Sequence, residues 1–306
     1  MPAAHSTLTP LASKLARRIE HTGPITLADF MRTALLDPEH GYYQRETAFG
    51  SAGDFVTSPD ISQMFGEMLA LYLADRWHAL SQPKHFYVLE LGGGRGTLMR
   101  DIVRTAASVP GFRQALKPLF LEAGSRRITE QKEAVPTAAH ISSLSALEPL
   151  LSAPNTHFYC LSNEFFDALP IHQFEYTAGG WRERSIGLAL GQGVPEVPEA
   201  LFSFVHTPPS PALALMPSAL KARATTGDIF EVSPQALQFA GELAKLVARH
   251  KGGTLFIDYG HARSSFGDTF QAVFQHAHSH PFQRVGEQDL TAHVDFAALA
   301  AAARSA

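Results

Sequence analysis

The chain has 306 residues, 45% hydrophobic and 18% charged, with a formal net charge of -4 and a pI near 6.4. That is a globular composition, enough for one large domain or two modest ones, without the basic excess of a general nucleic-acid binder. A single cysteine, Cys160, excludes an internal disulfide framework, and no apolar run approaches the length of a membrane span.

Residues 8–22 read as a helix with Leu11, Leu15 and Ile19 on one face, closed by Gly23-Pro24. Thr26 is placed to cap a second helix, Leu27 to Leu36, which Pro38 stops. An irregular stretch follows: His40-Gly41-Tyr42-Tyr43, then Gly50 to Pro59, rich in Gly, Ser, Thr and Asp yet carrying aromatics. Such a loop suits a turn or a site equally. Asp60 is placed to cap a helix from Ile61 to Leu80, with Met64, Met68, Leu71 and Trp77 as its expected inward face.

Phe86 to Leu91 is a short apolar strand. Gly92-Gly93-Gly94-Arg95-Gly96 follows, then Leu98, Met99, Ile102, Val103 and Ala106 at helical spacing until Pro110-Gly111. A second strand, Pro118 to Leu121, ends in Glu122. Strand, glycine loop, helix, strand and terminal acid form the first βαβ unit of a nucleotide-binding α/β fold. Residues 125–134 make a polar helix, and Ala138 to Ile141 a third strand tipped by Ser142 and Ser143. His157 to Leu161 is a fourth strand, with Cys160 buried in it, running into Asn163, Glu164 and Asp167. Two carboxylates and an amide thus stand beyond the C-terminal end of a buried strand, where open α/β sheets do their chemistry.

Residues 171–230 break this rhythm. Ile171 to Thr177 and Trp181 to Leu188 flank the hairpin signal Gly179-Gly180, and residues 194–217 are dense in proline. This reads as an insertion forming one wall of a substrate cleft. Ser233 caps a helix from Pro234 to His250. Thr254 to Ile257 is a fifth strand tipped by Asp258-Tyr259-Gly260-His261, and Gly286 to Phe296 is a polar loop opening an Ala-rich helix. No H-E-x-x-H occurs, and His276, His278 and His280 alternate in what reads as a loop, favouring solvated histidines over a metal. With about 48 residues after Asp258, the expected sheet has one exposed edge, or an edge filled by a partner chain.

The glycines identify the nucleotide class. A dinucleotide fingerprint wants a third glycine where Thr97 stands, and no Gly-Lys-Ser/Thr marks a P-loop. The pattern here, Glu90, Gly92, Gly94 and Gly96, resembles motif I of class I S-adenosylmethionine (SAM)-dependent methyltransferases. Glycines would let the backbone meet the cofactor without an intervening Cβ. Glu122 is placed for the ribose hydroxyls, Glu90 for the loop or the methionine ammonium, and Ser142 for the adenine.

Six blocks extend the likeness. They are Gly53 to Pro59, Ile61 to Glu67, Glu90 to Leu98, Asn163 to Pro170, Asp258 to Gly260 and Asp289 to Phe296. In this order they resemble the MidA family of methyltransferases, whose mitochondrial member is a complex I assembly factor described as a protein arginine methyltransferase. Two departures stand out: Gly93 replaces a usual Pro, and the family continues past the last block. The resemblance implies a class I methyltransferase core, a Rossmann-like doubly wound sheet, over 83–170 and 231–306. A helical N-terminal cover would occupy 1–82, with the insertion at 171–230. It implies SAM as cofactor, with Asp54 joining the binding set, and a protein arginine as substrate, for instance in a respiratory complex I subunit. Nucleic acid and metal are not expected, and a homodimer is left open. The N-terminus makes a weak presequence, so a bacterial cytoplasm is expected, or the mitochondrial matrix for a eukaryotic chain.

A guanidinium is protonated, so a carboxylate must hold it and aim one nitrogen at the methyl. Glu164 is the first choice, Asp167 the second, with Asn163 fixing geometry. Two other readings are a non-catalytic assembly chaperone on this scaffold and a small-molecule or amide N-methyltransferase. The intact glycine loop with its two acids speaks against the first, and the Glu164/Asp167 pair against a neutral acceptor.

Overall fold

Short apolar segments separated by helices pair in parallel, and their order places every strand's C-terminal end along one rim. The computed structural model describes residues 8–45, 58–122, 124–189 and 201–306. Most of the Gly50–Pro59 stretch, Asp54 included, lies outside the described residues, as does the start of the proline-dense segment.

The N-terminal part comprises α1 (Pro10–Thr22), β1 (Ile25–Thr26), α2 (Leu27–Leu36), α3 (Ser58–Ile61) and α4 (Gln63–Ala79). Then come β2 (His85–Leu91), α5 (Thr97–Ala106), α6 (Phe112–Ala115), β3 (Leu116–Leu121), α7 (Ser125–Ala134), β4 (Ala139–Ile141), α8 (Leu147–Leu151) and β5 (Thr156–Asn163). Next are β6 (His172–Thr177), β7 (Gly180–Leu188), β8 (Phe202–Thr207), α9 (Ser218–Lys221), β9 (Ile229–Val232), α10 (Pro234–His250) and β10 (Gly252–Ile257). Last are β11 (Gly260–His261), β12 (Gln271–Phe274), β13 (Ala277–Ser279), β14 (Asp289–Thr291), β15 (Val294–Asp295) and α11 (Phe296–Arg304).

The central sheet runs β10-β5-β2-β3-β4, all parallel. Its strands are nearly continuous apolar runs because helices cover both faces: α4 and α5 pack on one, α8, α10 and α11 on the other. Sequence order reverses between β2 and β5, so the crevice beyond Leu91 and Asn163 is the topological switch point where such sheets bind ligands. Among the described residues β10 pairs only with β5 and forms one edge of the sheet, β4 the other. A second, antiparallel sheet, β1-β7-β6-β9 with β8 on β7, ties the insertion to the N-terminal segment. One hydrophobic cluster joins α1 and α2 to Ile186 and Phe202 of the insertion and to Ala272, Phe282 and Leu290.

The helix expected over 61–80 differs in two ways. It breaks at Ser62, whose Oγ accepts from the Met64 N–H at the start of the longer helix, and Asp60 lies inside the preceding turn. Its inward face is Gly66, Leu69, Ala70, Leu73, Ala74 and Trp77, while Met64, Met68 and Leu71 are 64%, 60% and 49% exposed. Both sets recur at helical spacing, so α4 is apolar on two sides and periodicity alone could not choose. Contacts choose instead. Trp77 Nε1 donates to Pro83 O at 2.9 Å, and Gly66 lies so close to α5 that a Cβ would stand 2.7 Å from Asp101 Cβ.

Gly66→Val should therefore destabilise the fold by about 1–3 kcal/mol, the scale of overpacking a tight contact. Met68→Ala, on the exposed side, should stay within about 0.5 kcal/mol. Urea unfolding of both variants checks which face is core.

Candidate active site

The glycine loop turns sharply after β2. Gly92, Gly94 and Gly96 have φ of 66°, 49° and 82°, a region that side-chain-bearing residues rarely adopt. Gly96 N–H closes the turn on Gly93 O at 2.7 Å, and Gly96 O then accepts the first helical bond from Arg100. A Cβ at Gly92 would stand 2.7 Å from the Phe165 ring, and one at Gly93 2.6 Å from the Phe120 ring. A proline at position 93 would thus meet Phe120.

Glu90, one residue before the strand ends, is 4% exposed. Burial pushes its carboxyl up to about 8, against a single opposing backbone bond at Met99, and its Oε2 has no hydrogen-bond partner. It lines a cavity of about 50 Å³ over the loop, with Gly92, Gly93, Gly94, Asn163 and Glu164. An orphaned buried oxygen here fits a cation donor such as an ammonium.

Glu122 stands at the tip of β3. Its Oε1 accepts from Gly124 N–H at 2.8 Å, and its Oε2 faces Gln131 Nε2 at 3.4 Å. Gln131, fully buried on the otherwise polar α7, also donates to Gly94 O at 3.0 Å. Its Oε1 faces His140 Nε2 at 3.1 Å. One amide thus ties the glycine loop to the acid of the next strand. Apolar periodicity is silent about such a residue. Ser142 is exposed at the tip of β4, directly after Ile141, whose carbonyl accepts from Glu122 N–H at 3.0 Å. Asp54 lies outside the described residues.

Beyond β5, Glu164 adopts φ of 50°, a strained setting for a side-chain-bearing residue. Asn163 Nδ2 donates to Glu164 Oε1 at 3.2 Å, and Ser58 N–H of α3 bonds the same carboxylate. Asp258, at the tip of β10, holds the following turn. Its Oδ2 accepts from the N–H groups of Phe165, Phe166 and Asp167 at 3.2, 2.9 and 3.3 Å. Asp167 is 6% exposed, and burial, reinforced by Asp258, Asp289 and Glu164, holds its carboxyl well above the usual range. Burial also raises Glu164 and Asp258. Tyr259 is 57% exposed, and its hydroxyl is raised first by the charge of Glu164, then by burial, Asp167 and Asp258. The structure thus gathers Asn163, Glu164 and Asp167 at one strand end: Asn163 and Glu164 line the cavity over the glycine loop, while Asp167 lines a separate one with Tyr259. No group of His, Cys, Asp or Glu among the described residues is arranged to hold a metal. Cys160 is buried in β5, and burial pushes its thiol well up.

Residues 68–306 match the family model described as "Putative S-adenosyl-L-methionine-dependent methyltransferase". The chain belongs to this methyltransferase family. It is similar to the Drosophila melanogaster mitochondrial protein arginine methyltransferase NDUFAF7 homolog, 34% identical with 94% of this chain and 68% of the relative covered. The human mitochondrial protein arginine methyltransferase NDUFAF7 is 33% identical, with 97% and 69% covered. In fold it is similar to a Burkholderia thailandensis structure bound to S-adenosyl-homocysteine, TM-score 0.75, 24% identical, covering 96% of this chain and 76% of that one. The methyltransferase uses SAM, and the positive-φ glycines with the orphaned Glu90 oxygen are features that fit it.

Two outcomes follow. Gly94→Val puts a β-branched residue at φ of 49° and should abolish SAM binding in calorimetry while circular dichroism keeps the folded signature. SAM affinity should also depend on pH. Below about 8 Glu90 carries a proton, and an ammonium pairs only with its ionised form. Affinity should therefore strengthen as pH rises towards 8, with a limiting slope of about tenfold per unit, and fall again above it as the ammonium loses its own proton. Glu90→Gln should flatten that dependence.

Proposed function

We propose that this methyltransferase transfers the SAM methyl to an arginine of a protein substrate. The observation that carries the reading is the set Glu164, Asp167 and Asp258, three carboxyls raised by burial around one strand end. Such a group is relieved by a bound cation, and a guanidinium is the cation that two carboxylates can hold while one nitrogen stays free. The names of the curated relatives support the same acceptor.

Bound SAM supplies an electrophilic methyl on a sulfonium. Glu90, Gly92, Gly94, Gly96, Glu122, Ser142 and Asp54 are the residues proposed to hold it. Glu164 accepts hydrogen bonds from the guanidinium and biases its charge away from the attacking nitrogen, while Asn163 fixes the Glu164 rotamer. Asp167 supplies a second acceptor. Transfer would form an N–C bond as the C–S bond breaks, leaving a neutral thioether, and the nitrogen's proton would pass to carboxylate or water. The insertion at 171–230 is proposed as a further wall of the substrate cleft; its Leu215, Pro217 and Phe230 line a neighbouring cavity of about 230 Å³ beside Ala292 and His293. A complex I subunit as target follows the resemblance to the MidA family, and a bacterial cytoplasm is the proposed setting. For a eukaryotic chain the setting is mitochondrial.

Glu164→Gln should keep SAM affinity near wild type and reduce methyl transfer by at least ~100-fold, the scale of a lost transition-state charge contact. Glu122→Gln should weaken SAM first. Tritium transfer into a lysate depleted of the enzyme, with calorimetry on each variant, separates the two. Wild-type transfer rates should also rise with pH through the raised Glu164 pKa, because only the ionised acid holds the cation, and Glu164→Gln should lose that limb. Normal transfer by Glu164→Gln would place the acceptor elsewhere.

A further inference from the structure

The strand end that carries Glu164 borders two separate cavities. Glu164 lines the small one over the glycine loop, with Glu90 and Gly92. Asp167, three residues on, lines a larger one of about 480 Å³, walled by Tyr259, Gln271, Val273, His278 and His293. Its size lies within the range of small-ligand sites. The Asp258 carboxylate pins the turn between them, and Tyr259 follows Asp258 directly, its N–H on Asp258 Oδ1 at 2.9 Å. Tyr259 lines the larger cavity, and the charges of Glu164, Asp167 and Asp258 all reach its hydroxyl.

The far wall is the small sheet β13-β12-β14. Along β12 the side chains alternate. Ala272 is 1% exposed and faces the core, while Gln271 and Val273 face the cavity. No lysine or arginine lines it. The approach from the other side of the glycine loop is different. There a cavity of about 490 Å³ is lined by Arg95 and Arg100 as well as Asp60 and Asp101. A cationic acceptor is better received by the first, which has a buried acid on its floor, an exposed aromatic in its lining and neither lysine nor arginine.

We propose that the acceptor enters through the cavity between Tyr259 and the β12–β13 hairpin, as an arginine on an extended peptide segment. The proposal rests on the arginine reading above and adds where the substrate lies. The arginine stem runs over the Tyr259 ring, which also receives the guanidinium by a cation–π contact. Asp167 draws the cation inward towards Glu164. The flanking backbone of the substrate lies along Gln271, Val273 and His278. Tyr259 acts here by binding substrate, not by transferring a proton.

The test uses an array of arginine-centred peptides, tritiated SAM and the full chain. Peptides methylated by the wild type are then titrated for steady-state constants with Tyr259→Ala, Tyr259→Phe and Gln271→Lys. Tyr259→Ala should raise the peptide KM about ten- to thirtyfold, the loss of a desolvated cation–π contact, and Tyr259→Phe should restore most of it. Gln271→Lys should raise the peptide KM in a salt-sensitive way, since it places a cation on the wall. SAM affinity by calorimetry and thermal midpoint should stay at the wild-type value in all three, which shows that each variant is folded. Unchanged peptide KM in both Tyr259→Ala and Gln271→Lys, with arginine still methylated, would overturn the entry route and leave the arginine reading standing. Methyl transfer to another nucleophile, with no arginine labelled, would overturn both.

Discussion

One carboxylate holds the candidate site in shape. Asp258 Oδ2 takes the N–H groups of Phe165, Phe166 and Asp167, three donors of a turn that has left its strand and has no ladder partner. Buried donors of this kind need an acceptor, and an anion satisfies several at once. The clamp keeps the turn tight enough that Glu164 sits at a φ of 50°, a conformation that costs on the order of 1–3 kcal/mol unless its surroundings enforce it. The same charge raises Asp167. Geometry and electrostatics at this strand end therefore have a common source, 91 residues away in the chain from the last N–H it binds.

On the opposite lip of the crevice an amide plays the corresponding part. Gln131 presents its NH₂ to Gly94 O and Glu122 Oε2, and its oxygen to His140. Because an amide oxygen only accepts, His140 carries its proton on Nε2, which leaves Nδ1 as the unpartnered ring nitrogen. Burial lowers the His140 pKa, and its ring stacks on Phe120, the ring that lies under Gly93. Loop, acid and third strand tip thus move as one body, which presents the cofactor with a preorganised backbone.

Charge divides the two lips. The Asp258 side gathers acids that burial drives towards their neutral forms. The loop side carries Arg95 and Arg100, each near an aspartate at 3.7 Å. A cation entering from the acid side lets those carboxyls ionise, so binding and deprotonation are linked.

The sequence by itself determined the strand–loop–helix–strand–acid unit, its methyltransferase kinship and the strand tips that bear Glu122, Asn163, Glu164 and Asp167. These are short-range facts: a glycine at positive φ, an apolar run bounded by turns and a cap are written within a few residues. It could not choose the inner face of α4, because that helix is apolar on two sides and only Gly66 against Asp101 and Trp77 against Pro83 select one. Nor did it reveal Gln131, Tyr259 or the anchoring role of Asp258. A polar residue shows its purpose only through its partners, and those partners arrive from distant segments once the sheet has closed. The cavity beside Asp167 is the clearest case. Its floor belongs to β5's turn and its walls to β12, β13 and β14, more than 100 residues further on, so tertiary structure alone decided that they meet.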